Sequence, residues 1–398
     1  MQVMEVDSWD AHPGLLSAWN DLVAASAADS IFLTHEWLTS WWDAFRADRE
    51  LKLIVCTEGD GEVVGVIPLY RTRVRTELRY PLELLRLVGD GTFDSDNLDV
   101  IARRGYEDRV VGALLDWLLE HRREWDLFEL NGVRADSLTV GALTRELPER
   151  HLSHAEGEEP HAVIMLPETW DAYLATLSPT MRSGLRRKER DLHKRHRVDY
   201  RRCERESELP AFLDQLYRMH ADRWQHRGQA GSFADPARRV FYETVAPKFL
   251  ANGWLRFFIL EVDGEPAAAE FGFTYGLTHS FLQSGFFSAF ERHSVGVVLK
   301  THILKSLIED GVGRYDFLQG GEAYKMSWGP TLVRHTRARF AAPRSAGAAF
   351  IETREVIERA KAWLHRHLPE SVSSPLRRGF RRLRPHRGGI CEDRPGGA

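Results

Sequence analysis

Cysteine is scarce. Cys56, Cys203 and Cys391 lie far apart in a chain of 398 residues. That spacing excludes a disulfide framework and a thiolate metal site, and it fits a reducing compartment. No apolar run approaches the ~18 residues of a membrane helix. The opening stretch, Met1 to His12, is acidic and lacks the basic-then-apolar order of a secretory leader. No metal and no membrane span are expected, and the cytoplasm is the expected location. Nor is there a large excess of charge of one sign. The net charge of −4 averages over an uneven distribution, with basic residues gathered at 182–202 and 377–387.

Apolar and aromatic side chains are plentiful. The chain is 43% hydrophobic, with 12 Trp and 20 Phe, enough for sizeable cores and too much for a disordered chain. Its length suggests two or three domains. The expected division is residues 1–150 as a first half, 151–342 as a second, 343–368 as a C-terminal helix and 369–398 as a basic disordered tail. Pro148 to Pro160 is polar and reads as the linker between the halves.

The most structured pattern runs from Leu255 to Trp328. Leu255–Leu260 is an apolar run short enough for a buried strand. Asp263-Gly264 then stands between two apolar runs, a hairpin signal because both residues tolerate positive φ. Strands at Ala267–Tyr275 and Thr278–Ser284 follow. Gly296 opens a helix whose Leu299, Ile303, Leu304, Leu307 and Ile308 share one face, and Gly311 stops it. Tyr315–Leu318 is a short buried strand, followed by the polar loop 319–325. A strand, a Gly-led helix and a further strand form the layout in which α/β proteins hold phosphates at a helix N-terminus. Residues 51–147 repeat this order weakly, which suggests two related halves. The first half lacks a comparable Gly-led turn and is expected to be a scaffold or to bind the acceptor.

Early in the second half lies a basic helix. Ser178 is its expected cap and Pro179 its first residue. Arg182, Arg186, Arg190 and Lys194 recur every four residues and so share a face, where like charges repel by a few tenths of a kcal/mol each. Such a face is either solvated or the seat of an anionic partner. Beyond it, Arg223 and Trp224 end a helix and are candidates for lining a substrate cleft.

Three separated segments carry a resemblance. They are Phe32-Leu33-Thr34-His35-Glu36-Trp37, Met181-Arg182-Ser183-Gly184-Leu185-Arg186-Arg187, and Tyr315 to Lys325 with Trp328. From about Ile31 to Phe340 the chain is similar to the two-half acyltransferase-like proteins grouped with CelD of cellulose-biosynthesis clusters. Those belong to the GNAT superfamily and are related to the FemAB aminoacyl transferases. The resemblance implies an α/β (α+β) fold of two GNAT-like halves in tandem. Each would be a mixed, mostly antiparallel sheet flanked by helices, and the second would be catalytic. It further implies acyl transfer from acetyl-CoA or another acyl-CoA to an amine or hydroxyl of a small molecule or saccharide precursor.

GNAT proteins hold the donor's pyrophosphate on a Q/R-x-x-G-x-G/A turn. The corresponding segment has one glycine and offers Arg292, Ser294, Val295, Gly296, Val297 and Val298 as cofactor-binding residues. Glu270, on the strand before that turn, is the expected general base. A carboxylate there is expected to be partly buried and its pKa raised. Tyr324 is the expected general acid, and His293 an alternative base. Arg182, Arg186, Arg223, Trp224, Asp316, Gln319, Glu322 and Lys325 are the expected substrate-binding residues. No Ser-His-Asp or Cys-His constellation stands out, so direct transfer is expected. Two rival readings remain: a FemAB-like transferase using aminoacyl-tRNA, with tRNA as partner, and a non-catalytic binding protein of a polysaccharide assembly.

Overall fold

The computed structural model describes the chain except for residues 13, 77–79, 93, 151, 226–230, 368–389 and 393–398, and the side chains of 148–150, 358, 360–367 and 390–392. The fold is mixed α/β, mostly antiparallel sheet flanked by helices. The chain divides into two compact units. Residues 1–35, 46–158 and 336–398 form unit 1, and residues 36–45 with 159–335 form unit 2. The division expected at 150/151 thus falls at 158/159, and the C-terminal helix counts with unit 1. Most of the segment expected as a tail lies outside the described residues. No described helix is long and apolar enough to cross a membrane.

In chain order, β1 (Gln2–Val6), α1 (Leu15–Ala24) and α2 (His35–Phe45) open the chain. Next come β2 (Arg49–Glu58), β3 (Glu62–Thr76), β4 (Pro81–Leu87) and β5 (Ile101–Ala102). Helix α3 (Glu107–Glu120), β6 (Leu127–Arg134), α4 (Leu138–Arg150) and β7 (Ser153–Met165) follow. The second half runs α5 (Trp170–Thr176), α6 (Pro179–Arg195), β8 (Val198–Arg202), α7 (Leu209–Gln225) and α8 (Pro236–Ala251). It continues through β9 (Leu255–Val262), β10 (Glu265–Tyr275), β11 (Thr278–Phe286), α9 (Val295–Glu309), β12 (Arg314–Gln319) and α10 (Ala323–Met326). β13 (Thr331–Ala341), α11 (Ala346–His367) and β14 (Ile390–Glu392) end the chain.

From Ser153 onward, the segment expected to be a linker is in fact the first part of β7. Its half-buried positions carry Ser153, Ala155, Gly157 and Glu159. A period of two is there, but the inward residues are small or polar and leave no apolar alternation to read.

The unit 1 sheet has the order β1-β2-β3-β4-β6, continued by β13. β4 and β6 are parallel, with Leu84–Arg86 opposite Leu127–Glu129. Their crossover, α3, buries Val110, Val111, Leu114, Leu115 and Leu118 at helical spacing. The unit 2 sheet has the order β8-β9-β10-β11-β12-β7. Here β11 and β12 are the parallel pair and α9 is the crossover. In chain order, residues 2–134 and 198–319 therefore repeat one plan: a strand, two helices, three antiparallel strands, a helix and a parallel strand.

Local chemistry sets the unit 2 elements. Asp263 (φ 54°) and Gly264 (φ 86°) make the β9–β10 turn. Ser178 Oγ accepts the Met181 N–H at 3.2 Å, and Pro179 opens α6. One sheet face is covered by α9 and α6, through Val298, Leu299, Ile303 and Leu304 with Leu185 and Leu192. The other carries an aromatic cluster in which Trp37 of α2 lies 4.9 Å from Phe241 and 5.5 Å from Phe273. Gly285 lets α7 approach β11 on that side. A Cβ there would stand 2.8 Å from Met219 Cβ.

Candidate functional site

Strands β11 and β12 are paired only at Thr278–Ser280 against Arg314–Asp316. β11 then continues along β10 to Phe286. β12 bends away from the straight path: Leu318 takes a φ of 61°, and the pairing with β7 slips between Asp316 and Gln319. Asp316 Oδ1 fixes the bend by accepting the Leu318 N–H at 2.8 Å. The parallel strands therefore fork after Ser280 and Asp316. Beyond that point their facing backbone groups are not paired with each other.

The floor of the fork is polar. Glu270 of β10 is only 2% exposed and Lys300 of α9 only 6%. Lys300 Nζ donates to Glu270 Oε2 at 2.7 Å, and Tyr315 Oη donates to Glu270 Oε1 at 2.9 Å. Lys300 and the Tyr315 hydroxyl are also in hydrogen-bond contact. The ammonium lies 3.9 Å from the Phe281 ring centre and 5.2 Å from that of Phe317, close enough for cation–π attraction. Burial pushes the Lys300 ammonium below its usual pKa while Glu270 opposes the shift. Burial, then the Glu270 charge, pushes Tyr315 well above its own. The expectation of a partly buried carboxylate is thus corrected. Glu270 is fully buried, and both of its oxygens accept hydrogen bonds. A base must reach the proton it removes, and Glu270 reaches the fork only through Lys300 and Tyr315. Neither partner was singled out from sequence. The available signal was a lysine at position 300, in register with Leu304 and Leu307 on an apolar face.

The mouth of the fork is more open. Tyr324, in the single turn α10, is 48% exposed as a residue. Its ring lies 6.5 Å from that of Phe317. The phenol end is enclosed enough that burial, then Glu322, raises its pKa, while Arg223 offsets part of the rise. Arg223 itself lies 5.5 Å over the Phe286 ring. Lys325 is buried, with Nζ 2.6 Å from the Gln319 carbonyl oxygen and 3.0 Å from Glu322 Oε2. The Gln319 side chain donates to Glu159. Asp316 is buried beside Arg314, and burial raises its pKa. Trp224 donates its indole N–H to His220 Nε2 at 2.9 Å. Glu270, Asp316, Arg223, Gln319, Glu322, Tyr324 and Lys325 are therefore gathered around the fork.

A second group forms where α9 begins. Ser294 caps the helix with a φ of 55°, and its carbonyl accepts the N–H groups of Val297 (2.9 Å) and Val298 (3.1 Å). Of the expected amide cradle, Val295 and Gly296 thus remain as the first turn's outward amides. Arg292 Nε donates to His293 Nε2 at 3.0 Å, and the His293 ring lies 4.8 Å from that of His196. His293 belongs to this group rather than to the fork floor. The matching helix of unit 1 differs in charge. Its first turn holds Glu107, which accepts the Gly105 N–H at 2.7 Å, and Asp108, whereas α9 has no acid in its first turn.

On α6, Arg186, Arg190 and Lys194 are exposed and Arg182 is half-buried. Among the described residues none of the four forms an ion pair. Nearby, Arg197, Arg201 and Arg205 pair with Asp199, Glu261 and Glu208. Glu189, one of two acids in α6, is committed to Lys305 of α9 at 2.7 Å.

Residues 179–326 match the family model described as acetyltransferase (GNAT) domain. None of the curated proteins matches the chain. Among solved structures, that of FemX has a TM-score of 0.58 at 14% identity, covering 89% of this chain and 99% of its own. A conserved protein of unknown function from Bacteroides thetaiotaomicron VPI-5482 gives 0.56 at 13% identity, covering 86% and 100%. L-PGS from Bacillus licheniformis gives 0.50 at 12% identity, covering 87% and 97%. These likenesses concern the fold. They extend over most of the chain, whereas the GNAT match covers the segment that contains the fork and α9.

Proposed function

We propose that unit 2 transfers an acyl group, acetyl in the simplest case, from an acyl-coenzyme A to an amine or hydroxyl. The acceptor would be a small molecule or a saccharide precursor of the cell envelope. The observation that carries this reading is the fork of β11 and β12 beside the open N-terminus of α9. A chain bearing amides, such as the pantetheine arm, can pair with strand edges that no longer pair with each other. The amides of Val295 and Gly296 would take the pyrophosphate, aided by the helix dipole. The GNAT match over 179–326 supports the same assignment.

In this reading the acyl carbon sits by Phe281 and Phe317. The acceptor nitrogen or oxygen attacks it, the carbon–sulfur bond breaks, and the sulfur takes the phenol proton of Tyr324. A phenol with a raised pKa carries that proton at neutral pH. Glu322, the exposed carboxylate at the mouth, takes the proton that the acceptor loses. Arg223 and Lys325 stand where the acceptor enters. Glu270 is a positioning residue that holds Lys300 and Tyr315. The test is release of free thiol from acetyl-CoA in the presence of a panel of amines and amino sugars. Acceptor-dependent release supports the reading, and its absence across acyl chain lengths overturns it.

The α6 face favours a second reading, an aminoacyl-tRNA donor. Cations without acid partners suit a polyanion, whose binding would weaken steeply with salt as counterions are released. A donor affinity insensitive to salt would rule that reading out.

A further inference from the structure

The end of α6 and the turn before α9 bring four nitrogen-rich side chains together. The rings of His196 and His293 meet edge to face at 4.8 Å, and Arg292 Nε donates to His293 Nε2 at 3.0 Å. Burial, then the charges of Arg292, His196 and Arg195, disfavours a protonated His293, so Arg195 stands near enough to act on it. Among the described residues, the one acid in hydrogen-bond contact with the group is Asp263. Its Oδ2 lies 2.7 Å from His196 Nδ1, and its Oδ1 accepts the Arg197 N–H at 2.8 Å. Asp263 thus orients the His196 ring and leaves Arg195 and Arg292 without an acid partner among the described residues.

Gathering like charges is unfavourable unless an anion completes the group. Two arginines and two imidazoles are a donor set suited to a phosphate dianion, which offers several acceptor oxygens at once. The group also lies beside the first amides of α9 rather than on them, since His293 precedes the Ser294 cap. A ligand with two separate phosphate groups would fill both places.

We propose that Arg195, His196, Arg292 and His293 seat a phosphomonoester, the 3′-phosphate on the ribose of the coenzyme A donor. This deepens the acyl-coenzyme A reading and rests on it.

The test compares coenzyme A with dephospho-coenzyme A, which lacks that phosphate alone, by calorimetric titration of the full chain. The wild type is expected to bind coenzyme A about tenfold more tightly, the worth of one charge-assisted contact. Arg195→Gln and Arg292→Gln are each expected to shrink that preference, and together to abolish it. Neither arginine forms an ion pair among the described residues, so the fold is expected to survive both changes. Equal affinity of the wild type for the two nucleotides, or a preference that outlasts both substitutions, overturns the inference and leaves the acyl-coenzyme A reading standing. Failure of both nucleotides to bind overturns that reading itself and the inference with it.

Discussion

Lys300 Nζ lies 2.7 Å from Glu270 Oε2 beneath the fork of unit 2, and both side chains are buried. Removing one charge of a buried pair leaves the other uncompensated, which costs about 3–5 kcal/mol. Lys300→Met is therefore expected to lower the urea unfolding free energy by that amount. The double change Glu270→Gln with Lys300→Met is expected to lose less, because no charge is stranded and the glutamine carbonyl still accepts the Tyr315 hydroxyl. A double variant at least as unstable as Lys300→Met would show that the pair is not coupled in this way.

Tyr324 is assigned the proton donor to the leaving sulfur. Tyr324→Phe is expected to lower kcat by roughly 100-fold, the lower end for losing a general acid. Donor affinity is expected to stay unchanged, because the phenol contributes nothing to holding the nucleotide. A wild-type kcat would remove Tyr324 from the mechanism.

Acid is expected to destabilise the fold through its buried histidines. Burial lowers the pKa of His161 to about 2 and that of His220 to about 4, from 6.5. Below about pH 6.5 the unfolded chain binds these protons and the folded chain does not, so stability falls as pH falls. Each site contributes up to about 1.4 kcal/mol per pH unit, down to its folded pKa. Urea midpoints taken between pH 7 and pH 5 should show the decline, and His161→Phe should flatten it by one proton. An unchanged slope in that variant would contradict the assignment.

Two glycines of unit 2 should behave in opposite ways. A Cβ on Gly285 would meet Met219 Cβ at 2.8 Å and the His220 nitrogen at 2.9 Å, whereas on Gly296 the nearest atom is 3.8 Å away. Gly285→Ala is expected to cost about 1–3 kcal/mol by overpacking. Gly296→Ala is expected to be neutral or stabilising, since alanine suits a helix better than glycine. Thermal unfolding of the two variants decides the matter.

Much of unit 2 was legible in the sequence because short-range signals agreed with the fold. Asp263-Gly264 required positive φ, Ser178-Pro179 marked a helix start, and the Leu299–Ile308 stripe faces the core. Strand β7 was missed over residues 153–160, since its inward residues are too small or polar to show the alternation. The fork floor was half legible. Glu270 stood out as an acid among alanines. Its commitment to Lys300 and Tyr315 depends on contacts spanning 30 and 45 residues, which local pattern does not carry. The His196–His293 meeting was hidden in the same way, as it joins two helices that are distant in sequence.

Titration of acetyl-CoA into the purified chain, beside a Gly296→Asp variant, is the most direct measurement. The substitution puts a carboxylate at the second position of α9, where a Cβ has no neighbour nearer than 3.8 Å and an acid suits the helix dipole. The fold is therefore retained while an anion is repelled. Micromolar binding by the wild type that is lost in Gly296→Asp is the expected result. Absence of binding, or equal binding by both proteins, would contradict a coenzyme A site at the start of α9.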